Sequence, residues 1–538
     1  MITFATLAER TIAPLFCKCT SVFGKPKFSV LVSRWILPIG STTMGRFGHG
    51  WRIFTLVAAC ILALSVAASA TTYYIDYAAG SDSNSGTSTA APWQHMSGMH
   101  GCIANCAKTT PKAGDSIILK GGVTWPNAAF PILWSWSGTS TSDIYIGVDQ
   151  TWYAGSSWTR PIFDAQDQVI GGSWNMFFHC VYSGVHNVTL DNIEMKGIYW
   201  SGAPAYGHLA YITANTASEI HLKNLYLHRW THDSIANGTS DYLKIVLGDT
   251  NSPYCSGCSF DSGAIDNTDG DSNSGAAFYA FGSVTNSVVH DLSNGLLLGA
   301  PSSGTLFVTG NLVYNIMTSF TGVHENILET IGPNTGTVIV ANNVFHDSVG
   351  ESSFLGGPTT EVDYYFNNVL YNLWNEPEFC SRSSCGSVHA WNNTIVPRSG
   401  QPCFHQGHSG PKMVVADFRN NHCITTSSVI EDNISATTLI TSSNTMMTPT
   451  KSAAQGYSTG NYYAPTSKDS STVGAGVNFA SQCSGNISGL CTAVSIVSPP
   501  SPGPLRPNGS AAWDSGAYLY SAGGAAPAAP KGLTAVVH

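Results

Sequence analysis

The chain has 538 residues, a net charge of −9 and a mean hydropathy of +0.04, and only 10% of its residues are charged. So few charges, together with 54 glycines and 43% hydrophobic residues, exclude an intrinsically disordered chain. The acidic balance also argues against a nucleic acid, or any other polyanion, as a partner held by bulk electrostatics.

The first 70 residues have the three parts of a secretory signal peptide. An apolar run over 53–67 follows Arg46 and Arg52 and ends at the small residues before Ala70, where cleavage is expected. Residues 44–70 are therefore the predicted signal peptide, and residues 1–43 are an over-called start or a leader. Lipid attachment at Cys60 is the alternative. No later stretch is apolar enough to span a membrane, so we expect a secreted protein, extracellular or periplasmic. We also expect it to be a monomer.

The mature chain begins with an entry strand near Tyr74 and a loop rich in Gly, Ser and Asn. The segment from Gln94 to Ala107 is the best helical candidate. We predict that it caps the first coil of a solenoid, because a terminal coil exposes unpaired backbone groups. A series of short strands starts after it, at Ala113.

A short pattern, an Asn followed at once by an apolar run, recurs through the middle of the chain. It starts at Asn192, Asn224, Asn286, Asn311, Asn343, Asn368, Asn393 and Asn421. A fixed period of 20 to 50 residues indicates stacked units. The runs are short, β-branched or aromatic, and lack helical spacing, so each repeat is predicted to be one coil of a parallel β-helix. The Asn residues are expected to permit a left-handed bend and to hydrogen-bond from coil to coil.

Both ends of this region resemble a known superfamily. Tyr74-Ile-Asp, Gly80-Ser-Asp-Ser-Asn-Ser-Gly-Thr, Pro92-Trp and Gly114-Asp-Ser-Ile-Ile-Leu-Lys-Gly-Gly resemble the opening of secreted β-helix proteins of the pectin lyase-like superfamily, and Arg506-Pro-Asn-Gly with Asp514-Ser-Gly-Ala-Tyr-Leu-Tyr is similar to their closing coil. The resemblance implies an all-β, right-handed parallel β-helix over 71–520, with about 25–32 residues per coil. It implies no single activity, because the superfamily includes lyases, hydrolases, epimerases and noncatalytic adhesins.

Residues at equal offsets from the repeated Asn are expected to stack about 4.8 Å apart. Four residues on lie His228, His290, Asn315, Asp347 and Asn372, and eight residues on lie His232, Asn294, Ser319, Glu351, Glu376 and Gln401. This alignment predicts that Asp347, Glu351 and Glu376 are neighbours, with Glu325 reaching them from the loop of a longer coil. Glycosidic hydrolysis needs such carboxyl groups, one protonated and one ionised, and we predict these four as catalytic.

Several basic and aromatic residues are predicted to bind a polysaccharide substrate: His228, Arg229, His232, His324 and Trp374. Hydrolysis requires no cofactor. The alternative is β-elimination on a uronate polymer, which needs a base and a cation. Asp266, Asp269 and Asp271 are the candidate ligands for Ca²⁺ in that case. A third interpretation is a noncatalytic carbohydrate-binding or adhesion protein whose polar columns only keep it soluble.

Ten of the eleven cysteines after residue 70 form couples that are close in sequence, as disulfides of an exported protein do. The couples are Cys102 with Cys106, Cys255 with Cys258, Cys380 with Cys385, Cys403 with Cys423, and Cys483 with Cys491. Cys180 is left over and is expected to be a buried thiol. Residues 521–538 form a Gly/Ala/Pro linker and a truncated tail that resembles the first strand of a fibronectin type III module.

Overall fold

The fold is taken from a computed structural model of the chain. It describes residues 70–521 except 172–174, 182–183, 201–209, 233–242, 251–253, 300–302, 318–324, 332–334, 350–353, 356–359, 375–376, 381–385, 408–411 and 496–498. Five predicted positions, Ser319, His324, Glu351, Glu376 and Cys385, lie outside the described residues.

The described chain is a right-handed parallel β-helix, as predicted. Each coil passes through three parallel sheets in the order sheet 1, sheet 2, sheet 3. Right-handed connection is the rule for parallel strands, because twisted strands pack back on the sheet only in that sense. The described strands of sheet 1 are Thr72–Ile75, Ser116–Gly121, Ile144–Tyr153, His186–Asp191, Ser218–Lys223, Ser259–Asp261, Ser283–Thr285, Thr305–Thr309, Thr337–Ala341, Val362–Phe366, Ser387–Trp391, Met413–Arg419 and Ala436–Ser442.

Sheets 2 and 3 stack in the same way. The described strands of sheet 2 are Thr124–Pro126, Ile162–Gln168, Glu194–Trp200, Tyr226–His228, Thr231–His232, Ala264–Asp266, Val288–Leu292, Leu312–Ile316, Val344–Ser348, Val369–Leu373, Thr394–Val396, His422–Ile424 and Thr445–Met447. Those of sheet 3 are Ile132–Trp134, Phe178–Cys180, Ile212–Thr213, Lys244–Leu247, Ala276–Phe281, Asn294–Gly299, Leu328–Ile331, Phe354–Leu355, Glu378–Phe379 and His405–Gln406. Alternate side chains point inward and fill one continuous apolar core.

Six Asn residues form the predicted ladder at the bend between sheets 1 and 2. They are Asn311, Asn343, Asn368, Asn393, Asn421 and Asn444, and each of the first five donates from Nδ2 to Oδ1 of the next at 2.9–3.0 Å. Each Nδ2 in this ladder also donates to a backbone carbonyl, as Asn368 does to Val340 at 2.8 Å. The ladder therefore satisfies the buried polar groups of the bend.

The prediction of stacked amides was wrong for Asn192, Asn224 and Asn286, which do not belong to the ladder, whereas the predicted left-handed bend is found at all three. They lie one position earlier, in the left-handed region with φ of 58°, 52° and 51°. Ser287 occupies the ladder position of its coil, and its backbone N–H donates to Oδ1 of Asn311 at 3.1 Å. Asn favours both positions for different reasons, a tolerated positive φ at one and a stacking amide at the next.

The predicted N-terminal helix is shorter than expected, with Ala104–Lys108 alone in α-helical conformation. Gly98 and Gly101, both with positive φ, interrupt the segment before it. The carboxylate of Asp82 instead accepts hydrogen bonds from the backbone N–H groups of His95 and Ile103. Trp93, Met96 and Met99 from this region are buried in the solenoid core.

Residues 449–521, called the tail below, lie on the outside of the solenoid against the bend between sheets 1 and 2. The residues expected to form a closing coil, around Arg506 and Asp514, lie in this tail. The tail contains the α-helix Pro449–Ala454, three 3₁₀ turns and the antiparallel strands Thr492–Ser495 and Ser501–Leu505. Asn367, Asn392 and Asn420 each directly precede a ladder Asn, and we call them the outward Asn row. They bind the tail: Asn367 donates to the carbonyl of Thr492, Asn392 to that of Asp514 and Asn420 to that of Val477.

Four predicted disulfides are confirmed: Cys102–Cys106, Cys255–Cys258, Cys403–Cys423 and Cys483–Cys491. Cys380 is also disulfide-bonded. Cys180 is a buried free thiol, as predicted, and burial raises its pKa to about 12. The helices in the described ranges lack the length and apolarity needed to cross a membrane.

Candidate functional site

A line of polar and aromatic side chains runs along the outer face of sheet 2. The strand register aligns Asp164, Lys196, His228, Asp266, His290, Tyr314, His346 and Tyr371 on eight consecutive strands. We call this line the sheet 2 row. Seven strand intervals give it a length of about 34 Å. A row of this length suits an extended ligand better than a compact one.

His228 bridges two carboxylates in the row. Its Nδ1 lies 2.9 Å from Oδ2 of Asp269, and its Nε2 lies 3.3 Å from Oε1 of Glu194. Lys196 Nζ is 3.5 Å from the same Glu194 oxygen. The imidazole is buried, whereas the Asp269 side chain is 43% exposed. We call Glu194, Lys196, His228, Asp266 and Asp269 the His228 cluster.

The surroundings of Glu194 favour its ionised form. Burial alone raises the pKa of Glu194, but the hydrogen bond and charge of His228 and the charge of Lys196 outweigh it, so the pKa lies below its ordinary value. Tyr226 stacks on His228 with ring centroids 4.0 Å apart. Burial and the charge of Asp266 raise the pKa of Tyr226, so its phenol keeps its proton and donates.

The second half of the row is a stack of alternating imidazole and phenol rings. The centroids of His290 and Tyr314 are 4.5 Å apart, those of Tyr314 and His346 5.0 Å, and those of His346 and Tyr371 4.8 Å. Interplanar angles of 13°, 6° and 5° mean that the ring faces cover one another. Only ring edges are left for a ligand, so this part of the row offers hydrogen-bonding groups rather than flat apolar faces.

The predicted column at offset four is in fact two columns. His228 and His290 belong to the row, but Asn315, Asp347 and Asn372 sit one residue further on, each with φ of 53°. Asn224 and Asn286 lie one residue before the ladder position, so the residue four positions after each of them belongs to the sheet 2 row. The residue four positions after a ladder Asn is the one that follows the row position. The predicted stacking of these five side chains is therefore wrong.

Asp347 is nevertheless close to the row. Its Oδ2 is 2.7 Å from His346 Nδ1, and its Oδ1 accepts from Asn372. The hydrogen bond from His346 lowers the pKa of Asp347, and Asn372 adds to this against the opposing effect of burial. Asp347 is thus ionised near neutrality, which fits a base or nucleophile and not a proton donor.

The predicted column at offset eight does not form at the positions that are described. His232 pairs with Trp200 beside sheet 2, whereas Asn294 begins a strand of sheet 3. The pattern fails because the segments that leave sheet 2 differ in length from coil to coil. Glu325, which is half-buried, precedes the sheet 3 strand Leu328–Ile331.

Arg229 is paired with a carboxylate. Its Nη2 lies 2.7 Å from Oδ2 of Asp167, and its Nε lies 3.1 Å from Oδ1. The hydrogen bond and charge of Asp167 raise the pKa of Arg229, so the guanidinium is a poor proton acceptor. Arg229 fits ligand binding better than the role of base in an elimination.

The three predicted Ca²⁺ ligands face three different histidines. Asp269 binds His228, Asp271 accepts from the backbone N–H of His232 at 2.6 Å, and Oδ2 of Asp266 lies 4.0 Å from Nε2 of His290. In the described part of the chain, no three His, Cys, Asp or Glu side chains are grouped as a metal site. Ca²⁺ binding by these residues stays a prediction.

Trp374 is 49% exposed at the exit of a sheet 2 strand. The guanidinium of Arg398 lies 3.7 Å from the centroid of its ring and covers one face. Sequence reasoning missed Glu194, Lys196 and Tyr226. Their signal was the alternation within Asn192-Ile-Glu-Met-Lys and Asn224-Leu-Tyr-Leu-His, which places every second residue on the outer face.

No protein-family model matches the chain, and no curated protein matches its sequence. Solved structures that follow a similar path include the GH136 lacto-N-biosidase from Eubacterium ramulus, at 13% identity and a TM-score of 0.38 over 74% of this chain and 70% of that one. The pectate lyase Pel9A has 16% identity and a TM-score of 0.38 over 84% and 97%. A rhamnogalacturonan lyase has 14% identity and a TM-score of 0.35 over 65% and 87%.

Proposed function

We propose that the chain is a secreted glycoside hydrolase that binds an extended, uncharged polysaccharide along the sheet 2 row. The observation that supports this proposal most is the His228 cluster, with a carboxylate on each side of one imidazole within a polar line about 34 Å long. The disulfides and the predicted signal peptide support secretion.

Glycoside hydrolysis uses one carboxylate as base or nucleophile and one carboxylic acid as proton donor. Glu194, kept ionised by His228 and Lys196, is proposed for the first role. Asp269, half-exposed on the other side of the imidazole, is proposed as the proton donor, with its carboxyl group carrying the proton of the hydrogen bond to Nδ1 of His228. His228 positions both carboxyl groups, and the Tyr226 phenol is proposed to donate a hydrogen bond to the sugar.

The charges on the outer face of sheet 2 favour an uncharged substrate. Among the described residues, its carboxylates include Asp164, Asp167, Glu194, Asp266, Asp269, Asp291 and Asp347, and its permanent cations include Lys196, Arg229 and Arg160, whose charge interacts with that of Glu194. A surface with this excess of negative charge repels a polyuronate unless a cation bridges the two. Hydrolysis is therefore preferred over Ca²⁺-assisted elimination.

The four carboxyl groups predicted from the sequence, Glu325, Asp347, Glu351 and Glu376, are proposed as a second candidate centre. Substitution decides between the two centres. We expect E194Q and D269N each to lower the rate by about 10²–10⁴-fold, the usual contribution of general acid–base groups. E351Q and E376Q should leave it unchanged, and E219Q, on an exposed carboxylate of sheet 1, is the control.

The assay uses a panel of neutral polysaccharides and polyuronates, with and without chelator. Reducing ends and unsaturated-uronate absorbance are followed together. New reducing ends without absorbance, unaffected by chelator, are the expected result. Absorbance that rises and is lost with chelator would mean elimination. Silence across the whole panel would leave a noncatalytic binding protein.

A further inference from the structure

The sheet 2 row changes from polar to apolar side chains at its C-terminal end. After Tyr371 the positions in line with it are Val396, Ile424 and Met447, all apolar. The tail covers them there, because Tyr457 and Tyr463 pack on this apolar patch. The tail also packs against Tyr314 and Tyr371 of the row itself, so it contacts the last polar positions of the row and covers the apolar positions beyond them.

The tail is held firmly at this point. The rings of Tyr462 and Tyr463 lie 6.1 and 5.7 Å from that of Tyr371. Tyr518 donates from its hydroxyl to the carbonyl of Tyr462 at 2.8 Å, and Asn461 Oδ1 accepts from the backbone N–H of Tyr463 at 3.1 Å. These bonds fix two tyrosines whose φ of 52° and 61° is uncommon for bulky residues.

The neighbouring outward column also meets the tail. It begins with the polar side chains of Glu194 and Tyr226 and is apolar at Ala264, Val288, Leu312, Val344 and Val369. Leu312, Val344 and Val369 lie in one cluster with the tail residues Ala464 and Tyr518. The column turns polar again at Thr394, His422 and Thr445, and the ring of Tyr457 lies 4.6 Å from that of His422. The tail therefore packs on this column as well as on the row.

We infer that Tyr457, Tyr462 and Tyr463 form a wall that closes one end of the substrate row. A polysaccharide lying along the row meets the wall with one chain end, so the enzyme releases products of a fixed length from that end. This inference rests on the proposed hydrolase function. It adds the mode of attack: action from chain ends, not at random within the chain.

The distance from the reacting centre to the wall sets the product length. His228 and Val396 lie six strands apart, or about 29 Å, whereas Asp347 and Val396 lie two strands apart, or about 10 Å. Reaction at the His228 cluster therefore yields a long oligosaccharide of uniform size. Reaction near Asp347 yields a product of one or two sugars. Product length consequently identifies which centre reacts.

The test follows viscosity, reducing ends and product size together on the polymer that the assay above identifies. The wild-type protein should release one product size from the earliest times while viscosity hardly falls, and it should not cleave a cyclic glycan with the same linkage. Y463A should broaden the product sizes and cleave the cyclic glycan. Y153A, on a sheet 1 strand, is the matched control and should behave as wild type.

Two results would overturn the inference without touching the hydrolase proposal: an early fall in viscosity with mixed product sizes, or cleavage of the cyclic glycan by the wild type. Both measurements use the wild-type protein, so they hold even if Y463A fails to fold. Absence of cleavage on every polymer would overturn the hydrolase proposal and this inference with it.

Discussion

His422 is an imidazole held neutral by burial beneath the tail. It lies on sheet 2, is 1% exposed and has the ring of Tyr457 at 4.6 Å. Burial lowers its pKa from 6.5 to about 3. The unfolded chain therefore binds one more proton than the folded chain between these values. Stability from this group is complete above pH 6.5 and is lost as the pH falls toward 3.

This predicts an acid sensitivity that a single substitution removes. Between about pH 6 and 4, the wild type should lose about 1.4 kcal/mol per pH unit relative to H422N, in addition to any loss the two share. Urea unfolding at several pH values measures the difference. Parallel pH profiles for the two proteins would show that burial of His422 is not the cause.

The ladder is the element that fixes the bend between sheets 1 and 2. Asn368 donates to Asn393 Oδ1 at 3.0 Å and to the Val340 carbonyl at 2.8 Å, and it accepts from the backbone N–H and side chain of Asn343. Its side chain is fully buried. Removal of the amide deletes both bonds that it donates and both that it accepts, although Asn393 Oδ1 keeps the backbone N–H of Asn368 and Asn343 Nδ2 keeps the Val308 carbonyl. Each buried group left without a partner costs roughly 1–3 kcal/mol.

We therefore expect N368A to lower the free energy of unfolding by at least about 3 kcal/mol. N433A, at an exposed Asn, is the control and should change it by less than about 0.5 kcal/mol. Chemical unfolding of both variants measures this. Equal effects of the two substitutions would mean that the ladder adds little to stability.

The same ladder explains why the repeat length could be predicted from the sequence, whereas the register of inward and outward side chains could not. Doublets such as Asn342-Asn343 and Asn367-Asn368 place an outward left-handed Asn directly before an inward stacking Asn. Where only the outward Asn is present, as at Asn286, the pattern looks identical one residue early. A shift of one residue exchanges the two faces of a strand, so columns of outward side chains could not be assigned from spacing alone.

At the scale of the whole molecule, the solenoid followed from its repeats but the position of the tail did not. Repeats specify contacts between neighbouring coils, which recur at every period. The tail instead joins residues far apart in sequence, such as Asn367 with Thr492 and Asn392 with Asp514. No periodic signal encodes such contacts. The wall at the end of the sheet 2 row was therefore invisible in the sequence.

Arg506 is the centre of this long-range attachment. It is fully buried, and its Nη2 donates to Asn367 Oδ1 at 2.9 Å and to the carbonyls of Gly516 and Ala517 at 3.0 and 3.1 Å. Burial lowers its pKa to about 10, against the favourable charge of Asp514. The guanidinium thus binds the tail to the outward Asn row and also links separate segments of the tail.

R506M should loosen the tail while leaving the coils folded, because the lost hydrogen bonds lie within the tail and on the outside of the bend. We expect faster hydrogen exchange over residues 457–520, with the core strands unchanged, and a loss of roughly 1.5–3 kcal/mol for each charged hydrogen bond left unmade. R398M removes a guanidinium stacked on the exposed Trp374 and is the matched control. If exchange in the tail stays at the wild-type rate, the tail is attached by its apolar contacts with Leu312, Tyr371 and their neighbours, and Arg506 only fills the space between them.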